Sequence, residues 1–309
     1  MTLRVELVTL SNAAQLVQYC AKHGAEHDGS YIPGALFAVT PEQPSYLLLS
    51  DGSVVVGAVS LMLTPRYVSV GTGRFAILHS TKKSAEAYAH LYTAMRPHTR
   101  GLRKVYLFLP EKAHDTAAIL QGLGFDIERY SYVLRKAPAV SGDIVWPEGV
   151  AVEALDPANA VGAQQFADCL NDSFAALAGH SDVSAGDVRS WFDEEEHLDG
   201  GICLLKQDGR PIGTVMVMTD CEDPAQAEVG GLGIVRAFQG RGLGRLLLRY
   251  AVGFAVQNRF GSVVLSVNAE NQSALRLYQA EGFSVIGTMV CYAKDCSQDL
   301  KQASLEATL

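Results

Sequence analysis

Apolar residues along this chain fall into short runs of two kinds, and the same order of runs occurs twice. In the C-terminal half, alternating or continuous apolar stretches predict strands at 150–155, 202–206, 211–218, 228–235, 262–268 and 283–293. Stretches with a 3.6-residue period predict helices at 160–174, 184–192, 242–257 and 271–281. In the N-terminal half the same reading predicts strands at 3–8, 46–50, 54–63, 73–79, 104–109 and 125–134, with helices at 13–22, 82–95 and 112–122. The dipeptides Asp51-Gly52 and Asp208-Gly209 each separate two apolar runs and predict hairpin turns.

The duplication is visible in residues as well as in pattern. Leu120-Gln121-Gly122-Leu123-Gly124-Phe125 corresponds to Tyr278-Gln279-Ala280-Glu281-Gly282-Phe283, 158 residues on, each before a closing strand. Between the halves runs Ala137-Pro138-Ala139-Val140-Ser141-Gly142, small and helix-breaking residues that suit a linker. We expect an α+β architecture of two tandem domains, 1–138 and 149–309, each a splayed, mostly antiparallel sheet flanked by helices.

The chemistry concentrates in the second copy. Gln239-Gly240-Arg241-Gly242-Leu243-Gly244, followed by Arg245, joins a predicted strand to a long amphipathic helix. Glycines at alternate positions let the backbone approach a ligand closely, and free amides at a helix start attract phosphate. A dinucleotide fingerprint is excluded: Arg245 stands where its third glycine belongs, and no acid ends the next strand at Ser266-Val267-Asn268. A triphosphate loop is excluded by the missing Gly-Lys-Ser/Thr. Downstream, Asn271 is a good N-cap, Ala274, Leu277 and Tyr278 share one helical face, and Gly282 closes the helix.

Together the two motifs, Gln239 to Gly244 and Asn271 to Phe283, resemble the GNAT superfamily of N-acetyltransferases. That resemblance implies acetyl-CoA as donor, with its pyrophosphate on the amides of Gln239, Gly240, Arg241, Gly242, Leu243, Gly244 and Arg245 and added charge from Arg241 or Arg245. It implies backbone contacts from Leu232, Gly233 and Ile234 to the pantetheine arm, a donor-site role for Asn271, and Tyr278 as the acid that protonates the CoA thiolate. It implies no metal. The tandem layout is similar to that of the mycothiol synthase family, whose first copy is inert and whose second carries an acid on the strand before the loop. Glu228 holds that strand position here, and strand alternation predicts Glu228, Gly230, Leu232 and Ile234 on one face. The departure is Ser266, where that family has a tyrosine, so the acceptor is left open. The first copy has His79-Ser80-Thr81-Lys82-Lys83-Ser84 in place of the loop and Ala113 and Leu120 in place of Asn271 and Tyr278, so it is expected to be a scaffold. Lys82 and Lys83 there read as a substitute phosphate clamp or as solvated charges.

Bulk properties narrow the partners. The net charge is −8 from 25 basic and 33 acidic residues, with no basic block, which argues against nucleic-acid or anionic-membrane surfaces. Six cysteines without metal spacing suit a reducing compartment, and the N-terminus lacks the apolar run of a signal peptide, so a cytoplasmic location is expected. Nothing in the sequence specifies the oligomeric state. The expected activity is transfer of acetyl from acetyl-CoA to a small-molecule amine, with His180, Asp182 and Trp191 in the segment that shapes the acceptor side. A protein or peptide N-acetyltransferase and a non-catalytic CoA sensor are the alternatives.

Overall fold

The structure, a computed structural model, describes residues 2–296 apart from 138, 140–143 and 178. Most of the expected linker at 137–142 therefore lies outside the described residues. The chain sorts into two compact units: one up to Ser131 together with the chain from Thr288, the other from Tyr132 to Gly287.

Unit 1 contains β1 (Arg4–Leu7), α1 (Ala13–His23), β2 (Ser45–Ser50), β3 (Val54–Met62), α2 (Pro65–Val68), β4 (Thr72–Ser80), α3 (Ala85–Met95), β5 (Lys104–Pro110), α4 (His114–Gly122) and the start of β6 (Asp126–Lys136). Unit 2 takes the end of β6, then β7 (Val150–Ala154), α5 (Ala160–Phe174), α6 (Ala185–Ser190), β8 (Ile202–Gln207), β9 (Arg210–Thr219), β10 (Gln226–Ile234), α7 (Leu243–Gln257), β11 (Ser262–Asn268), α8 (Gln272–Ala280) and the start of β12 (Ser284–Asp295). In unit 1 the strands run in the order β1-β2-β3-β4-β5-β12, and in unit 2 β11-β10-β9-β8-β7. The pairings described are antiparallel except β4 with β5 and β10 with β11. The contact partition differs from the sequence partition 1–138 and 149–309 in two strands: the end of β6, from Tyr132, goes to unit 2, and the end of β12, from Thr288, goes to unit 1. Residues Met289–Asp295 of β12 pair with β5 in unit 1, and Val290 and Tyr292 enter its core.

Helices cover both faces of each sheet, and strand alternation explains why. In unit 2, Val215 and Val217 of β9 face Leu247, Leu248 and Ala251 of α7, while Met216 between them packs toward Phe166 and Leu170 of α5. In unit 1, Leu48 and Leu78 face Tyr88 and Leu91 of α3, while Leu47 and Ile77 face Leu16 and Cys20 of α1. The Asp208-Gly209 turn has φ of 49° and 79°, the left-handed pair that a two-residue hairpin needs. The Asp51-Gly52 turn instead takes three residues, with Ser53 at φ 62°. The short helix α2 was not expected; Pro65 at its first position fixes the φ that starts it.

Candidate functional site

The site begins with two departures from regular pairing on β10. Parallel pairing to β11 runs from Gln226↔Ser262 only as far as Glu228↔Val264, after which the two strands part. On its other edge β10 carries a bulge against β9, between Gly230↔Met216 and Gly233↔Thr214. Gly231 takes φ +54° in that bulge, and its carbonyl accepts a hydrogen bond from Thr214 Oγ1 at 2.7 Å. A bulge adds one residue and so reverses the alternation beyond it. This corrects the expected face: Glu228 and Gly230 lie opposite Ala227 and Val229, but Leu232 and Ile234 pack with Ala227, Val229 and α7. Gly233 now faces α5, where an added Cβ would come within 2.6 Å of Ser173 and 2.9 Å of Phe174. Gly233→Ala should therefore cost about 1–3 kcal/mol by overpacking, read as a lower urea midpoint; an unchanged midpoint would show that α5 yields freely.

Beyond β10 the chain turns through the glycine loop into α7. Gly240 and Gly242 have φ of 75° and 80°, and nothing lies within 4 Å of where their Cβ atoms would be. The amides of Gly240, Arg241, Gly242, Leu243 and Gly244 find no hydrogen-bond partner among the described residues. Five free N–H groups at the positive end of a 15-residue helix form an anion cradle. Gln239 braces the loop by donating from Nε2 to Ile234 O at 2.9 Å. Arg241 donates to Ala237 O at 3.0 Å and lies 4.8 Å over the Phe238 ring. Arg245 is drawn away by Glu281, 3.3 Å off, which also takes a two-point contact from Arg249 at 2.7 and 3.0 Å.

On the same sheet face α8 brings Tyr278, which is 7% exposed. Asn271 accepts from the Ala274 amide at 3.2 Å, so its carbonyl oxygen is spent as the α8 cap. The Tyr278 ring packs 6.1 Å from Phe283, and its hydroxyl has no partner among the described residues. Burial pushes this phenol up to about 12, so it stays protonated at neutral pH.

Glu228 lies on the other face, half-buried, beside Met218 of β9 and opposite Val264 of β11. The residues expected near it are tied into α5 and α6. Phe174 stacks on His180 at 6.0 Å, His180 Nε2 is 3.5 Å from Asp182, and Trp191 packs edge-on to Phe166 at 6.0 Å. Asp172 of α5 accepts from the Arg236 amide at 2.7 Å, which together with the Arg236 guanidinium holds it below the usual carboxylate range. That contact fixes the exit of β10. Sequence reasoning missed Glu194, an exposed residue whose carboxyl is nevertheless raised to about 7 by burial and then by Glu196. The acidic run from Asp193 to Glu196 was the available signal.

Unit 1 repeats the scaffold without the cradle. Pairing of β4 to β5 also stops after three rows, at Arg74↔Tyr106, and β4 bulges between Ser60↔Ile77 and Leu61↔Phe75. The amides after it are consumed locally: Thr81 N donates to Val56 O, Lys82 N to Ser80 Oγ and Ser84 N to Lys82 O. Lys83 is an exposed charge that is also paired within unit 1. Its Nζ donates to Glu26 at 2.5 Å, His79 at 3.0 Å and Thr116 at 3.3 Å. Among the described residues, His23, Glu26 and His79 could hold a metal, with donor atoms within 4.8 Å of one another, but the Lys83 ammonium already stands against two of them.

Comparison with known proteins agrees with this geometry. Residues 164–283 match the Acetyltransferase (GNAT) family. The second half thus carries a GNAT domain, and the chain is an acetyltransferase of GNAT type. Mycothiol acetyltransferase of Thermomonospora curvata is 26% identical over 286 residues, covering 88% of this chain and 90% of that protein. N-alpha-acetyltransferase RimI of Mycobacterium tuberculosis is 45% identical over 64 residues, 21% of this chain and 39% of that protein. A solved tandem GNAT protein from the clavulanic acid biosynthesis pathway superposes with TM-score 0.69 at 16% identity, covering 96% of this chain and 99% of that one. The chain is a homologue of the mycothiol acetyltransferases, built as two tandem GNAT folds.

Proposed function

We propose that this chain transfers acetyl from acetyl-CoA to the amine of a small molecule, by direct attack with both substrates bound. In this reading 149–309 is the catalytic domain and 1–138 a degenerate copy. The observation that carries it is the parting of β10 from β11 beyond Glu228, in line with a glycine loop whose amides are free. The donor fits what is there. A pyrophosphate needs close amides and no Cβ at Gly240 and Gly242, and the pantetheine arm can add to the β10 edge that β11 leaves unpaired.

The chemistry then divides between the two sheet faces. The neutral amine attacks the thioester carbonyl, a C–N bond forms and the C–S bond breaks. Tyr278, buried and protonated, donates its hydroxyl proton toward the departing sulfur, and the amine proton passes to Glu228. Because the folded Tyr278 pKa lies above that of a free phenol, loss of its proton should not limit turnover until pH approaches about 12. A basic limb well below that value belongs to another group if it persists in Tyr278→Phe, and Tyr278 is removed as the donor if that variant also keeps full turnover. Glu228→Gln keeps size and loses basicity, so turnover should fall at neutral pH and partly recover as pH rises and free amine accumulates. Loss confined to acceptor KM, without recovery, would make Glu228 a binding group. Glu194→Gln run in parallel should leave the acidic limb in place; its disappearance would transfer the base to Glu194.

A second reading, acetylation of peptide N-termini, is supported by the short RimI match. Thiol release from acetyl-CoA, followed across a panel of small amines and of N-terminal peptides, decides between them. Release driven by peptides alone would overturn the small-molecule reading.

A further inference from the structure

Arg74 occupies in unit 1 the position that Glu228 occupies in unit 2. Each stands in the last parallel row, Arg74↔Tyr106 and Glu228↔Val264, and each faces a methionine on the antiparallel neighbour, Met62 and Met218. The duplication has kept the place and reversed its charge.

The surroundings of Arg74 are aromatic, with the Asp28 carboxylate as its charge partner. Its guanidinium lies 4.0 Å over the Tyr31 ring and 5.2 Å over Phe108, and pairs with Asp28. Tyr67 meets Tyr106 edge-on at 6.3 Å, and Arg66 lies 5.9 Å over Tyr67. Tyr67 and Tyr106 are only 4% and 7% exposed. Arg66 Nε is sealed with no hydrogen-bond partner among the described residues, and the hydroxyls of Tyr31, Tyr67 and Tyr106 donate to none of those residues either, though their oxygens still reach solvent. Other nearby cations are answered: Lys104 and Arg129 both pair with Glu128. An unpartnered buried polar group costs about 1–3 kcal/mol, so the sealed Arg66 Nε beside three tyrosine hydroxyls that donate to no described residue points to a missing acceptor. The neighbouring Tyr67 phenol is the main reason that Tyr31 is pushed up to about 12, which keeps its O–H available as a donor.

We infer that unit 1 binds a small molecule through a compact oxyanion, a carboxylate or phosphate, held by the hydroxyls of Tyr31, Tyr67 and Tyr106 and the guanidiniums of Arg66 and Arg74. These five groups can all donate, which matches an acceptor-only anion; the Asp28 carboxylate paired with Arg74 is the one acceptor beside them, and the anion would share Arg74 with it. This site is separate from the acetyl-donor cradle and does not depend on acetyl transfer.

The test uses the full chain, titrated calorimetrically and by thermal unfolding with inorganic phosphate and with succinate, against sodium chloride of equal ionic strength. Phosphate or succinate should stabilise the protein beyond the salt control, and whichever binds names the oxyanion. Tyr67→Phe/Tyr106→Phe, which removes two unpaired hydroxyls and keeps the rings, should retain its unfolding temperature in buffer and lose at least tenfold in affinity. Arg66→Met should lose affinity likewise, providing a second reading if the double variant folds poorly. Gly242→Val should keep the response, which separates it from phosphate on the glycine loop. No response to either anion, or a response unchanged in both the tyrosine and Arg66 variants or abolished in Gly242→Val, would overturn the inference.

Discussion

Tyr278→Phe should lower turnover by about 10²–10⁴-fold, the range of a general acid–base group, with little change in acetyl-CoA affinity. The substitution deletes one oxygen that has no partner among the described residues and keeps the ring against Phe283. Stability should therefore hold, since the deleted oxygen bonds no described residue and the ring packing is kept. Single-turnover thiol release, paired with calorimetric donor binding, reads both effects. Full turnover with chemistry shown to be rate-limiting would pass the proton donation to water or another residue.

Gly242→Val should reduce acetyl-CoA affinity on the order of 10²-fold or more while leaving a cooperative fold. Two effects combine. A β-branched residue resists φ of +80°, at about 1–3 kcal/mol of strain, and its side chain enters the space that the phosphates need. No protein atom lies within 4 Å of the new Cβ, so the fold itself has little reason to fail. A variant that binds the donor with native affinity by calorimetry would sink the cradle assignment.

What could be read in the sequence was local. The Asp208-Gly209 turn, the Asn271 cap and the α5 span 160–174 depend on a few adjacent residues, and the structure has them as expected. The glycine loop was legible because the backbone conformation at Gly240 and Gly242 is a property of glycine itself. The face of Leu232 and Ile234 was not, because one inserted residue at Gly231 shifts everything after it. The Gly230-Gly231 pair was the only sign of it. The ion pairs of Arg245 and Lys83 were not legible for a different reason. Their partners, Glu281 and the Glu26–His79 pair, are brought up by other elements of the fold. The reach of β12 to β5 has no local signature at all.

That last pairing bears on how the chain comes off the ribosome. Seven rows join β12 to β5, from Met289↔Pro110 to Asp295↔Lys104, so the partner of the β5 edge is synthesised about 180 residues after β5 itself. At ordinary elongation rates this leaves roughly 10–40 s in which the nascent N-terminal half shows an open strand edge and a core without Val290, Tyr292 and Cys296. The half made first is completed last. Ribosome-stalled chains should keep that half protease-sensitive until Asp295 itself has emerged from the exit tunnel.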